Sequence, residues 1–478
     1  MFLFLIEIIE QDKRMMLHAR NDVERSADAM LSSGMESKGQ NQMGIALQVF
    51  FNLNVLPEKV YQVISSMLKD IKNKASELLD AKKINSLLIT EDSKQGKNLP
   101  GRTSRTISSV PSSGNAAAFR TILWKNIETL LEVIFDKICE AMQLQKILTK
   151  KRDIVLGVNF IELIEETKRN IVLNLWSECL ILLKSHLYQS SSDSSTVKEL
   201  LEGGFPKLIR LFNENLWSKL YHAAQNNNAA FNVPDLNLTL QNPFECKDDI
   251  SDDLRDVIIA YERQYLSRSL SRLFDPVNLM FAAGDSPKQD ELEEVFKAIK
   301  SEISNAQVDK VLHATVIKNI TKTVKLMCAK CEQLVDGQAS QVVGYPTNEQ
   351  RKNVEVVNCL FSFYVGIENL IGSQEASKDV EILIKTAIEP LIQSVIDAVE
   401  AILLTMHNEN FNQIDAYSST LSPYMRELHS FITRVHSDFF SKFDCKILVA
   451  ECCYPLGQKT IDLFILHARY DFKKKKYL

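Results

Sequence analysis

The sequence predicts an all-α fold, arranged as an elongated rod of stacked helical bundles. Residues 318–361 show a helix, a polar loop and a second helix, and the rest of the chain repeats this plan. Only 15 glycines and 12 prolines occur among 478 residues, which favours long helices over many short strands and turns. Apolar residues make up 45% and charged residues 24% of the chain, as in ordinary soluble folded proteins.

The segment 318–361 shows the helical pattern most clearly. Apolar residues recur there at alternating steps of four and three, which places them on one stripe of a helix. These residues are Ile320, Val324, Met327, Cys331 and Leu334. Thr347 followed by Gln350 predicts the start of the next helix, because the two side chains can cap its first turn. The same spacing then predicts a second apolar stripe, formed by Val354, Val357, Phe361 and Tyr364.

Apolar residues at helical spacing predict the other helices in turn. In chain order the predicted helical segments are 2–32, 42–53, 57–88, 117–151, 161–188, 196–224, 254–274, 290–304, 308–334, 380–407, 424–443 and 447–470. Pro57 stands where the first turn of a helix tolerates proline. Gly203, Gly204 and Pro206 divide the segment 196–224 into separate helices. Pro390 lies inside the segment 380–407 and should kink or divide that helix.

Composition divides the chain into helical regions separated by polar segments. The segment 91–116 is rich in Gly, Pro, Ser and Thr and has almost no large apolar residues, and the segment 225–253 is rich in Asn and contains Pro234 and Pro243; both predict linkers. The predicted domains are an N-terminal helical region (1–90), a flexible linker (91–116), a helical bundle (117–224), an Asn/Pro-rich linker (225–253), a helical bundle region (254–470) and a basic tail (471–478). Lys473–Lys476 is interpreted as a solvated run, although such a run could also touch an anionic membrane.

Charge and cysteine usage exclude several classes of protein. The net charge of −5 predicts no general attraction to nucleic acid. Nine cysteines at irregular spacing predict reduced thiols in a cytosolic setting. No segment reaches the roughly 18 uninterrupted apolar residues of a membrane span, and the apolar opening lacks the basic residues of a secretory signal. That opening is interpreted as the middle of a helix that has lost its beginning.

The sequence predicts no catalytic, cofactor-binding or metal-binding residue. Cys328 and Cys331 form a CxxC pair, but they lie inside a helix and lack the second pair of ligands that a zinc site needs, so a packing role is predicted. His429 and His436 could share one helix face, yet no nearby carboxylate pair completes a metal site. Cys452–Cys453 adds no signal. No spacing assigns a residue to partner binding.

Three blocks of sequence resemble the fifth-subunit family of the conserved oligomeric Golgi complex. They are YLSRSLSRLFDPVNLMF (265–281), the stretch 318–360 with ASQVVG and NEQRKNVEVVN, and IEPLIQSVIDAVEAILLTMH (388–407). Shorter blocks at 44–56, 144–153 and 203–220 agree in the same order. The match therefore runs collinearly from about Glu10 to Ala468. Family members extend past both ends of it, so the chain is expected to be truncated at both ends.

The resemblance implies a non-enzymatic subunit of a vesicle-tethering complex that acts in intra-Golgi retrograde transport. It implies peripheral association with the cytosolic face of the Golgi membrane, and presence in the cytosol. The seventh subunit of the complex is the expected close partner, with the sixth and eighth beside it, and no nucleic acid, small-molecule substrate or cofactor is expected. A cytosolic helical-repeat adaptor is the alternative, but the sequence shows no fixed repeat length.

Overall fold

The computed structural model describes most of the chain, with gaps in its loops and at its ends. The described residues are 2–95, 115–233, 238–245, 250–282, 284, 286–335, 341–342, 344–372, 374–409 and 421–476. Across these residues the single sheet is an antiparallel pair of two-residue strands, β1 (Asn232–Val233) and β2 (Leu238–Thr239). Everything else of regular structure is helical. The prediction of an all-α fold built of helical bundles is confirmed.

The chain divides into two compact units, Met1–Tyr265 and Leu266–Leu478. The helices of the first unit are α1 (Phe2–Glu36), α2 (Gln40–Asn52), α3 (Leu56–Leu78), α4 (Ala81–Gln95), α5 (Ala116–Lys150), α6 (Ile171–Asp193), α7 (Ser195–Gly203), α8 (Phe205–Leu211) and α9 (Ser218–Asn226). The unit boundary falls within α10 (Asp252–Met280). The later helices are α11 (Gln289–Ala306), α12 (Lys310–Leu334), α13 (Asn348–Ile371), α14 (Gln374–Leu404), α15 (Pro423–Asp438) and α16 (Lys446–Lys476).

The core of the first unit is organised around α5. This helix packs against α2, α3, α4 and α6, and its apolar residues are buried on several sides. A π-helical turn at Phe212–Trp217, which joins α8 to α9, also packs on α5. Trp217 stands at the end of that turn and meets the rings of Trp176 and Phe244, with centroid distances of 6.4 and 5.8 Å. The buried side of α5 is broad and apolar, whereas charged residues such as Lys125, Glu132 and Asp136 lie on its exposed side, as expected of an amphipathic helix that contacts several neighbours.

The core of the second unit contains the predicted stripe of α12. Val324, Met327 and Cys331 are fully buried, and Leu334 at the end of the helix is half-buried. The predicted start of α13 is also correct. Thr347 accepts a hydrogen bond from the backbone N–H of Gln350, and the Gln350 side chain accepts one from the backbone N–H of Thr347. This reciprocal cap satisfies two backbone donors that a helix start leaves unpaired.

The predicted stripe of α13 is out of phase with the face that is buried. Val357 is buried as predicted, but Phe361 and Tyr364 are half-buried and stack on each other with centroids 6.4 Å apart. The fully buried residues are Leu360, Phe363 and Ile367. Both faces of this helix carry large apolar residues, so spacing alone does not determine which face is buried. Contacts with α11, α12 and α14 determine it.

Two predicted helices need correction, and one of the two predicted effects of Pro390 does not occur. The predicted helix 57–88 is interrupted between α3 and α4. The segment 161–188 does not begin as an α-helix. It opens with 3₁₀ turns, and α6 starts at Ile171, where the Asn170 side chain accepts a hydrogen bond from the backbone N–H of Leu173 at 3.1 Å. Asn favours such a cap because its side-chain oxygen satisfies a free helix donor. Pro390 does not divide its helix, since α14 is continuous from Gln374 to Leu404.

The predicted domain boundaries stay a prediction. Parts of the predicted linkers and tail lie outside the described residues, namely 96–114, 234–237, 246–249 and 477–478. Within the predicted linker 225–253, Phe231 and Phe244 are buried in the first unit.

Gly366 marks a close approach between α13 and α11. A Cβ atom added there would lie 2.1, 2.4 and 2.9 Å from three ring atoms of Phe296. Gly366→Ala should therefore lower the free energy of unfolding by about 1–3 kcal/mol, because the Phe296 ring would have to leave its stack on Phe363. Gly457→Ala is the matched control in α16. Its Cβ would meet nothing within 4 Å, so it should stabilise by about 0.5–1 kcal/mol. Urea unfolding followed by circular dichroism measures both, and equal effects would contradict this packing.

Candidate interaction surface

One face of α16 packs against α14 over most of its length. Leu448 and Val449 at its start are buried, and Cys452, Cys453 and Leu456 continue that side as half-buried residues. α16 also contacts the 3₁₀ turns that follow α14 and α15. This packing fixes which side of α16 faces inward, and hence which side is left outward.

Polar contacts hold α16 at two points, one on α14 and one on the 3₁₀ turn that follows α14. Near its start, the Lys385 ammonium lies 2.7 Å from Glu381 in its own helix and 3.0 Å from Glu451 of α16. The hydrogen bond to Glu381, followed by the one to Glu451, raises the pKa of Lys385 well above its usual range. Farther along, Nε2 of His407 lies 3.1 Å from Nδ1 of His467. These contacts fix the rotation of α16 about its own axis.

The outward face of α16 carries an apolar stripe exposed to solvent. Ile447, Tyr454 and Ile461 recur every seven residues and are 78%, 76% and 60% exposed. Uncharged residues follow three positions after each of them. We call the whole set the α16 stripe: Ile447, Ala450, Tyr454, Gly457, Ile461 and Phe464. Steps of three and four in alternation are the seam of a two-helix contact, in which one helix packs along another.

The size and charge of the α16 stripe suit a helical protein partner. From Ile447 to Phe464 the stripe is about 26 Å long, given the rise of about 1.5 Å per residue. The exposed charges beside it are mixed in sign: Lys446 and Lys459 are basic, and Glu451 and Asp462 are acidic. Apolar residues bordered by charges of both signs are typical of a coiled-coil interface. A binding site for nucleic acid would instead be bordered mainly by basic residues.

The CxxC pair lies where the sequence predicts. Cys331 is fully buried on the inner stripe of α12, and Cys328 is half-buried one turn earlier. Burial, with a smaller contribution from Asp379, raises the pKa of Cys328 to about 11. Burial also raises the pKa of Cys331, well above the usual range of a thiol. Reactive cysteines have lowered pKa values, because the thiolate is the nucleophile.

These thiols are expected to react slowly in the folded protein. Burial raises the pKa of Cys179 and of Cys359 to about 12, so thiolate is scarce at neutral pH. Iodoacetamide at a pH of about 7.5–8 is a suitable probe. We expect it to label Cys331 and Cys359 about tenfold more slowly, or slower still, than the half-buried Cys453. Peptide mass spectrometry resolves each site, and urea-unfolded protein is the control in which all should react alike. Rapid labelling of Cys328 together with Cys331 would contradict the packing role.

Other residues considered as ligands are not brought together. His429 and His436 are both exposed on α15. In the part of the chain that is described, no group of three or more His, Cys, Asp or Glu side chains could hold a metal ion. A surface cavity of about 670 Å³ beside Trp124 and Lys207 is lined by neither cysteine nor histidine.

Comparison with known proteins gives the family. A family model described as conserved oligomeric Golgi complex subunit 5, C-terminal, matches residues 3–216. The mouse protein named conserved oligomeric Golgi complex subunit 5 is 37% identical over 498 aligned residues, which cover 97% of this chain and 59% of the mouse protein. The chain is similar to this subunit 5 family along nearly its whole length. Proteins of the same name from Arabidopsis thaliana and Drosophila melanogaster are 25% and 21% identical and align with 92% and 96% of the chain.

The chain spans somewhat more than half the length of these relatives: 59% of the mouse protein, 52% of the Arabidopsis protein and 58% of the Drosophila protein. No solved structure matches the chain.

Among the described residues, one helix is long and apolar enough, by length and composition, to cross a membrane. This helix is α13. It packs against α11, α12 and α14, and Leu360 and Phe363 on it are fully buried. We interpret α13 as a core helix of the second unit, because an apolar helix surrounded by neighbours passes the same test.

Sequence reasoning did not single out the α16 stripe. A signal was present in the seven-residue recurrence of Ile447, Tyr454 and Ile461. It was hidden because the opposite side of α16 is also apolar, so that spacing alone does not tell the packed side from the exposed side. The packing of α14 makes that distinction.

Proposed function

We propose that the chain acts as a non-enzymatic subunit of the conserved oligomeric Golgi complex, in a vesicle-tethering role in intra-Golgi retrograde transport. It works at the cytosolic face of the Golgi membrane, as a peripheral protein that is also present in the cytosol. Similarity to the subunit 5 family supports this proposal, since the relatives are named as subunits of that complex. The α16 stripe is the observation that carries the mechanism.

The mechanism is the docking of helix on helix. The α16 stripe is bordered by mixed charges, and its residues Ile447, Tyr454 and Ile461 are largely exposed in the described second unit. A helix of a partner subunit with apolar residues at the same spacing would bury Ile447, Tyr454 and Ile461 together. Aromatic and large aliphatic side chains at the centre of such a seam dominate binding energy. We propose the seventh subunit as this partner, with the sixth and eighth subunits joining the same assembly.

The alternative, a helical-repeat adaptor, has less support. An adaptor of that class is built from helix pairs of nearly constant length. The helices of the first unit range from seven residues in α8 to 35 residues in α5. A constant repeat is therefore not seen in the described residues of that unit.

Co-expression with the seventh subunit tests the proposal. The chain is produced with a tagged seventh subunit, and affinity pull-down is followed by gel filtration. We expect the two chains to elute together in equal amounts, with the sixth and eighth subunits added in turn to find further contacts. A folded, helical, monodisperse chain that binds none of the three would contradict the proposed function.

A further inference from the structure

The loop between α5 and α6 carries at its tip three consecutive aliphatic side chains that are exposed to solvent. Ile154, Val155 and Leu156 are 97%, 87% and 68% exposed. A single exposed aliphatic residue is ordinary on a protein surface. Three in succession form an exposed apolar patch, and such a patch is typical of an interaction site. We call these three residues the 154–156 tip.

The 154–156 tip is held in one conformation by Asp153. One carboxylate oxygen of Asp153 accepts hydrogen bonds from the backbone N–H groups of Val155 and Leu156, at 3.0 and 2.7 Å. The other oxygen accepts one from the side chain of Gln48, at 3.1 Å. Gly157 closes the turn at φ +66°, a conformation that suits glycine. The tip is thus built into the fold, and little ordering is needed when it binds.

The base of the loop is anchored to the first unit. Arg152 and Asn159 face each other as an antiparallel bridge. Phe160, just after it, is fully buried and stacks on Phe51 with centroids 5.1 Å apart. The Lys151 ammonium donates to the carbonyl of Gly44 in α2. The loop therefore projects from a fixed platform.

The charges around the tip favour an anionic surface. Lys150 and Arg152 are exposed at its base. The hydrogen bond from the backbone of Leu156 holds the pKa of the Asp153 carboxyl below its usual range, so this carboxylate stays ionised and offsets part of the positive charge beside it. The Glu162 carboxylate accepts from the backbone N–H of Asn159. Exposed cations beside an apolar point combine the two attractions that bind proteins to anionic membranes.

We infer that the 154–156 tip inserts into the headgroup layer of an anionic lipid membrane, with Lys150 and Arg152 contacting lipid phosphates. A bilayer accepts a short convex apolar tip, whereas the α16 stripe, long and bordered by both signs of charge, suits a protein helix. This inference deepens the proposed peripheral membrane association and rests on it. It names the residues that make the contact.

Vesicle flotation of the purified chain tests the inference. Two kinds of vesicle are used, phosphatidylcholine alone and phosphatidylcholine with phosphatidylserine. We expect the chain to float with the second kind, and the double variant Ile154→Asp, Leu156→Asp to lose roughly tenfold or more of that binding. Ile181→Asp is the matched control, because Ile181 is 62% exposed on α6 of the same unit, and it should bind as the native chain does. Arg152→Glu should weaken binding to the anionic vesicles.

A tryptophan probe reports insertion directly. Val155→Trp should show a blue-shifted emission with phosphatidylserine vesicles, and quenching by lipids labelled in the upper acyl chain. If the native chain floats but the tip variant floats equally well, the inference is overturned while peripheral association stands. If the native chain floats with neither kind of vesicle, the inference is also overturned, and the pull-down with the seventh subunit still decides the docking proposal. Loss of partner binding by the tip variant, with no flotation by the native chain, would make the tip a protein contact instead.

Discussion

Ile461→Asp is expected to abolish detectable docking of the seventh subunit, with a loss of at least about 30-fold in affinity. That factor corresponds to the roughly 2 kcal/mol or more of a residue at the centre of an interface. Ile461 is 60% exposed in the α16 stripe, and a helix packed on it would have to bury the new carboxylate without a partner. Tyr454→Asp, one heptad earlier, should have a similar effect. Gel filtration and isothermal titration calorimetry with the purified seventh subunit measure the loss.

The controls separate loss of docking from loss of folding. Both variants should keep the circular dichroism spectrum and melting temperature of the native chain, because the replaced side chains are exposed. Ile181→Asp, at a position 62% exposed on α6, should leave affinity unchanged. Binding by Ile461→Asp within about threefold of the native chain would remove the α16 stripe from the mechanism, since a central apolar contact costs more than that.

Trp217→Ala is expected to lower the free energy of unfolding of the first unit by about 3–5 kcal/mol. Trp217 is 1% exposed and leaves a large void when truncated. It also touches Trp176 and Phe244 in the aromatic cluster, where each aromatic pair adds about 0.5–1.5 kcal/mol beyond buried area. Urea unfolding followed by tryptophan fluorescence measures the change for this unit, because all 3 tryptophans of the chain lie in it.

Tyr188→Ala provides the comparison for this core substitution. Tyr188 is 72% exposed on α6, so its truncation should change stability by no more than about 0.5 kcal/mol. A loss below about 1 kcal/mol for Trp217→Ala would mean that the cluster is not the packed core described here, since large-to-small changes in a close-packed interior cost more.

Features set by neighbouring residues along the chain could be predicted from the sequence. The cap formed by Thr347 and Gln350 is of this kind, because its two partners stand three positions apart. The buried stripe of α12 is another, since polar residues occupy the other side of that helix. Low glycine and proline content predicted the all-α class for the same reason: few residues interrupt the local preference for helix.

Features set by contacts between distant segments could not be predicted in this way. The buried face of α13 depends on Phe296 of α11, which packs over the small Gly366, and spacing within α13 does not contain that information. The start of α6 depends on Asn170, whose amide also donates to the carbonyl of Gln241. The α16 stripe became recognisable only when α14 was seen on the opposite side.

Photo-cross-linking from the α16 stripe tests whether this stripe is the docking surface for the seventh subunit. A photoreactive phenylalanine is placed at Tyr454 or Ile461, with Ile181 as the control position, and the chain is co-expressed with the sixth, seventh and eighth subunits. We expect cross-links to the seventh subunit from both stripe positions, at residues of one helix, and none from position 181. Cross-links that join two copies of this chain, or the absence of any cross-link to the three subunits in an assembled complex, would contradict it.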